Sequence, residues 1–68
     1  MGFLPPVSSF EICYYRGGGS VSLIMTINAF SSDGAALIAT RILRDDLPYA
    51  VVWDGVAEVA TLHHTKPN

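Results

Sequence analysis

The sequence predicts an α+β fold of order ββαββ: a four-stranded sheet made of two hairpins, with one helix packed on one face. Three observations carry this expectation. Two runs in the first half alternate at the period of a strand, one central run changes to the period of a helix, and the last run places an Asp-Gly pair between apolar stretches.

The first strand is expected over Ser8 to Tyr15, "SSFEICYY", which is rich in aromatic and β-branched residues, and the second over Ser20 to Phe30, "SVSLIMTINAF". In the second, Val21, Leu23, Met25 and Ile27 alternate with Ser22, Ile24, Thr26 and Asn28. Between them, "RGGG" supplies residues free to adopt positive φ, as a hairpin connection requires. With Arg16 to Gly19 as a four-residue loop, Ile12 is expected opposite Leu23, Phe10 opposite Met25 and Tyr14 opposite Val21, which gathers the apolar sets on one face.

In "SSDGAALIATRILRDDLP", Ala35, Ile38, Ala39, Ile42 and Leu43 fall at helical spacing and form a single stripe. Ser31 or Ser32 is placed to cap the first amides, Asp33 suits the positive end of the helix dipole, and Pro48 prevents continuation past Leu47. Gly34 in the first turn and the Asp45-Asp46 pair at the negative end both oppose a long helix, so its end is expected near Arg44. A helix between the hairpins makes the second and third strands run in the same direction if they share a sheet, with a right-handed crossover. Strand order is not legible.

Asp54-Gly55, between Val52-Trp53 and Val56-Ala57, is a strong hairpin signal. With these two residues as the loop, Trp53 is expected opposite Val56, Val51 opposite Glu58 and Tyr49 opposite Ala60. The other face would then carry Ala50, Val52, Ala57 and Val59, small enough to let a helix bearing Ala35 and Ala39 come close. The remaining face, with Tyr49, Val51, Trp53 and Leu62 extended by Ile24, Cys13 and Tyr15, is expected to be open and apolar, and such a face ordinarily meets another sheet.

Sixty-eight residues make one domain, with residues 1–7 as an N-terminal extension and 65–68 as a loose tail. A chain of this size has a small core, its single Cys13 precludes an internal disulfide, and no Cys/His spacing resembles a zinc site. Half of the residues are apolar and 15% are charged, a composition that points to self-association as the stabilising device. The net charge of −2, with basic residues scattered at Arg16, Arg41, Arg44 and Lys66, disfavours nucleic-acid binding. No run reaches the roughly 20 apolar residues of a membrane span. The start "MGFLPPVSSF" lacks the features of a signal peptide, and Pro6 breaks an acylation pattern, so a cytoplasmic location is expected.

Candidate chemistry is sparse. His63 and His64 are adjacent, so on a strand they point to opposite faces and do not share a metal; His64 is expected on the Trp53 face. Glu58 on an apolar face is the polar residue most in need of a partner, with Arg16 or Arg41 of a neighbouring copy as the candidate, against the plainer reading of an edge charge that prevents unwanted pairing. Cys13 with His63 is a poor thiol-and-base pair, because Cys13 lies mid-strand with no oxyanion motif after it. "RGGGS" lacks the Gly-Lys-Ser/Thr ending of a phosphate loop and joins two strands. Tyr14, Tyr15 and Arg16 offer stacking and charge for a single strand of nucleic acid, without a basic surface around them. No cofactor or metal is expected.

The run "AALIATRILRDDLPYAVVWDGVAEVATL" resembles small uncharacterised bacterial proteins with an Ala-rich helix followed by a Trp-Asp-Gly hairpin. The resemblance covers the second half of the chain, implies architecture alone and carries no catalytic residue with it. The functional expectation is therefore a self-associating binding or accessory domain whose oligomer interface uses Tyr49, Val51, Trp53, Leu62, Ile24 and Tyr15. Its rival is a small oligomeric enzyme with a pocket between subunits, using Glu58 as acid/base with His64 or Tyr49 assisting.

Overall fold

The computed structural model describes residues 7–64. The expected tail at 65–68, Lys66 included, and all of the expected N-terminal extension except Val7 lie outside the described residues. Four strands and one helix follow in the order β1 (Ser8–Tyr15), β2 (Val21–Ala29), α1 (Ser32–Thr40), β3 (Tyr49–Asp54) and β4 (Ala57–His63). The strands form one open antiparallel sheet of order β2-β1-β3-β4. The chain is thus an α+β fold with one helix on its sheet. β1 is antiparallel to both β2 and β3, so those two strands run in the same direction on either side of it.

The first hairpin has the expected pairing parity but a longer loop. Ile12 lies opposite Met25, Phe10 opposite Ile27 and Tyr14 opposite Leu23, two residues beyond the expected partners in each case. The shared face is unchanged because a shift of two restores the alternation. Only Gly19 of the triplet takes a positive φ, at 92°. The loop closes through Gly19 N–H to the Arg16 carbonyl (2.9 Å) and Arg16 N–H to the Ser20 carbonyl (2.9 Å). The register slips between Tyr14 and Tyr15, which leaves Ser22 outside the pairing, and its hydroxyl accepts from Arg16 Nε at 3.1 Å.

The helix is capped by Ser31, whose backbone is extended (φ −154°, ψ 165°) and whose Oγ accepts from Gly34 N–H at 3.1 Å. It ends at Thr40, earlier than the end near Arg44 expected from the Asp45-Asp46 pair. Bonds from the N–H groups of Arg41, Ile42 and Leu43 to the third carbonyl back tighten the chain there. Arg44 and Leu47 then exchange two backbone bonds (3.1 and 2.9 Å), setting Asp45 and Asp46 at the tip of a turn instead of at a helix end, where the dipole opposes them. Arg44 Nε donates to Asp46 Oδ1 at 2.7 Å. This early stop lets both Leu43 and Leu47 turn inward.

The core lies between the helix and one sheet face. Phe10, Ile12, Tyr14, Ala29, Ala35, Ala39, Leu43, Leu47, Ala50 and Val52 are buried together, with Met25, Ile27, Ile42, Ala60 and Leu62 packed around them. Ala35 and Ala39 are fully buried, so the helix approaches the sheet closely, while Ile38 of the expected stripe remains 40% exposed. The Tyr14 hydroxyl donates to the Ala39 carbonyl at 2.7 Å, tying the central strand to the last turn of the helix.

The second hairpin corrects two expectations. Asp54 is not a loop residue: it pairs with Ala57, and the two-residue loop is Gly55-Val56, with Gly55 at φ 64° and Val56 98% exposed. Glycine takes the first central position of a II′-type turn at no steric cost, whereas an Asp54-Gly55 loop would force Asp54 to positive φ. Trp53 therefore lies opposite Glu58. The register then slips once more, with Val52 opposite Ala60, so Val59 has no partner across the ladder. That bulge exchanges the faces of the remaining residues. Ala60 and Leu62 turn toward the core, and the expected core residues Ala57 and Val59 are exposed.

Candidate functional site

The face of the sheet away from the helix is built from three rows across the strands. Ile24, Cys13, Val51 and Thr61 form the central row; Thr26, Glu11, Trp53 and Glu58 form the row toward the β3–β4 turn; Tyr15, Tyr49 and His63 form the row at the opposite end. Alternation places these residues together, since each except Glu58 is one position along its strand from a residue of the core or packed against it, and Glu58 is placed by its pairing with Trp53. Cys13 and Val51 are buried by their neighbours although no helix among the described residues covers them, Trp53, Tyr15 and Tyr49 are half-buried, and Ile24 is 58% exposed.

Five of the six expected interface residues share this surface: Tyr49, Val51, Trp53, Ile24 and Tyr15. The sixth, Leu62, does not, because the bulge at Val59 turns it toward the helix. The same bulge corrects the histidines. His63, not His64, lies on the Trp53 side, and its ring stacks with Tyr49 at 6.0 Å between centroids. Tyr15 and Tyr49 stack almost parallel, 4.8 Å apart at 8°. His64 closes the end of the sheet instead: its N–H donates to the Pro48 carbonyl at 2.7 Å, and its Nε2 is 3.4 Å from Asp45 Oδ1.

The geometry does not assemble the catalytic candidates. Glu58 is exposed in the Trp53 row and accepts from Thr61 Oγ1 at 3.5 Å, whereas His64 follows the Tyr49 row. Four residues of β3 separate those rows, roughly 13 Å at strand rise. Cys13 and His63 have β3 between them and lie in rows two residues apart, which sets them about 12 Å apart. Burial raises the Cys13 thiol above its ordinary pKa, and the Glu11 carboxylate beside it adds to the effect, both of which oppose a thiolate. The Cys13 Sγ lies 4.0 Å from Glu11 Oε1.

The expected stacking trio is split. Tyr14 is buried in the core with its hydroxyl bonded to the helix, Tyr15 is stacked on Tyr49, and Arg16 is bonded to Ser22. Among the described residues there is no enclosed pocket, no cluster of His, Cys, Asp or Glu able to hold a metal, and no helix long and apolar enough to cross a membrane.

No family model, characterised protein or solved structure matches this chain.

What the open face offers is therefore contact chemistry: an apolar centre, stacked rings at one end and two carboxylates at the other. Glu11, Thr26, Thr61 and His63 belong to it and were not read from the sequence as part of it. Glu11 was legible, being two residues from Cys13 on the same strand. Thr61 and His63 were not, because their facing depends on a bulge that no residue type at Val59 announces.

Proposed function

We propose that this chain is a self-associating binding or accessory domain of the bacterial cytoplasm, in which the open sheet faces of two copies pack against each other. The observation that carries the reading is the uncovered face itself, where Trp53, Tyr15, Tyr49 and Ile24 surround the Cys13–Val51 centre without a helix over them. An antiparallel sheet can leave its second face to water, but a face with an apolar centre ringed by aromatic side chains is the kind that meets another layer. Aromatic anchors such as Trp53 and Tyr49 are the residues from which interfaces draw most of their energy. Glu11 and Glu58 lie in one row, toward the edge of such a contact, where water remains available to them.

Sedimentation velocity between one and one hundred micromolar tests the reading, with Trp53 emission followed in parallel. The expected result is a rise to twice the 7.3 kDa chain mass together with a blue shift of the Trp53 emission. A mass that stays at one chain, with Trp53 quenched freely by iodide throughout the range, overturns it.

A further inference from the structure

The two edges of the sheet differ in how they are guarded. β4 carries Glu58 and is broken by the bulge at Val59, two devices that discourage pairing with another strand. β2, "VSLIMTINA", is nine residues long and has no charge and no proline. Its only irregularity, at Ser22, lies at one end. Val21, Leu23 and Ile24 on it are 49%, 37% and 58% exposed.

The geometry points to β2 as a homodimerisation edge, at which two copies pair antiparallel about a two-fold axis through Met25 to make one continuous eight-stranded sheet. The strand is self-complementary about that residue. Over the regular part of the strand, Leu23 meets Ile27 of the second copy, Ile24 meets Thr26 and Met25 meets itself, whereas the bulge at Ser22 turns Val21 to the open side with Tyr15 and ends the matched pairing short of Asn28 and Ala29. Apolar residues thus oppose apolar ones on the helix side, and polar or β-branched residues oppose one another on the open side. No like charges are brought together, since β2 has none.

Charge complementarity at the ends selects a second copy over a foreign strand. The two-fold sets the loop bearing Arg16 beside the start of the partner helix, where Asp33 lies in the first turn. Arg16 and Asp33 are both exposed, and neither takes part in an ion pair among the described residues. The arrangement occurs twice, once at each end. A two-fold contact closes on itself, so it satisfies the edge without propagating into a filament. It also leaves both helices on one side and joins the two open faces into a single surface twice as large. The contact is separate from the face-to-face packing proposed above, and either stands without the other.

Charge exchange tests it on the full chain. Arg16→Asp and Asp33→Arg are each expected to weaken the dimer at least tenfold by sedimentation equilibrium, and the double variant is expected to restore it. Hydrogen exchange supplies a second readout. Amides in Ile24 to Asn28 that face outward from the sheet should exchange at least tenfold more slowly at high than at low protein concentration, whereas face packing leaves them open. If the dimer persists in both single variants, or if β2 exchange is independent of concentration, the edge contact is overturned. A dimer lost in Trp53→Ala yet unchanged in the charge variants assigns association to the open face alone and also overturns it.

Discussion

On the helix side of the sheet, Phe10, Ile12, Tyr14, Ala50 and Val52 lie together with no charged side chain among them, and Tyr14 finds a partner for its hydroxyl. One residue along each strand, on the open side, Glu11, Cys13, Tyr15, Val51 and Trp53 mix carboxylate, thiol and rings. The backbone is the same for both faces. The difference lies in what each face has to satisfy: the helix side excludes water and tolerates only matched apolar volume, whereas the open side retains groups that water or a second chain must serve. Stability is therefore concentrated on one face, and the proposed contact with a second copy falls to the other.

The largest expected effect comes from breaking the helix side. Ile12→Ala removes a fully buried side chain from the central strand, and a loss of about 3 kcal/mol is expected from the cavity. For a domain of this size that is much of the total stability, and the urea midpoint should collapse or the cooperative transition disappear.

A smaller effect is expected at the second hairpin. Gly55→Ala places a Cβ on a residue at φ 64°, although nothing lies within 4 Å of it. The cost is conformational alone, about 1 kcal/mol, and a thermal melt should record it without any loss of Trp53 environment. A loss well above that figure would mean that the turn, and with it the Trp53–Glu58 register, had rearranged.

Tyr14→Phe sharpens the comparison by removing only the polar link between the central strand and the helix. About 1 kcal/mol is expected, since the Ala39 carbonyl keeps its bond from Ile42 N–H, 3.1 Å. The variant should also alter the alkaline limb. Burial holds the Tyr14 phenol above its ordinary pKa, so the folded chain keeps this proton after the unfolded chain has lost it. The stability present below the usual phenol value of about 10 is lost as pH rises past it. Denaturant midpoints between pH 8 and 11 should fall less steeply in Tyr14→Phe than in the parent.

The smallest effect on the fold is expected on the open side. Ile24→Ser should change stability by less than about 0.5 kcal/mol, because the side chain is already mostly in water. Its effect should be seen in association, with the sedimentation midpoint moving to higher concentration. If it instead destabilised the monomer as strongly as Ile12→Ala does, the distinction between the faces would be lost.

Much of this architecture is legible in the residues. Alternation in "SSFEICYY" and "SVSLIMTINAF", the helical spacing of Ala35 and Ala39, the Ser31 cap and the glycine at position 55 are local signals, each with a local cause. They place the five elements, and they sort Phe10, Ile12, Tyr14, Ala50 and Val52 from Tyr15, Ile24, Val51 and Trp53. Within the candidate face, the residues near the turn were correctly grouped because parity survives a register shift of two.

What the residues do not carry is anything that depends on matching one element to another. The strand order β2-β1-β3-β4, with β1 and β3 central, follows from how the helix returns the chain across the sheet, and no single segment encodes that path. The bulge at Val59 is the sharpest case. A strict alternation along β4 would send Leu62 outward and His64 toward Trp53. The tertiary structure inserts one unpaired residue so that Leu62 meets the helix and His63 meets Tyr49. Which segments are strands and which is helix was settled locally, because backbone preference and periodicity are properties of neighbours along the chain. Only the packed molecule decided which edge is guarded and which side chains share the open face, because those outcomes depend on burying Leu62, Leu43 and Leu47 in a common core.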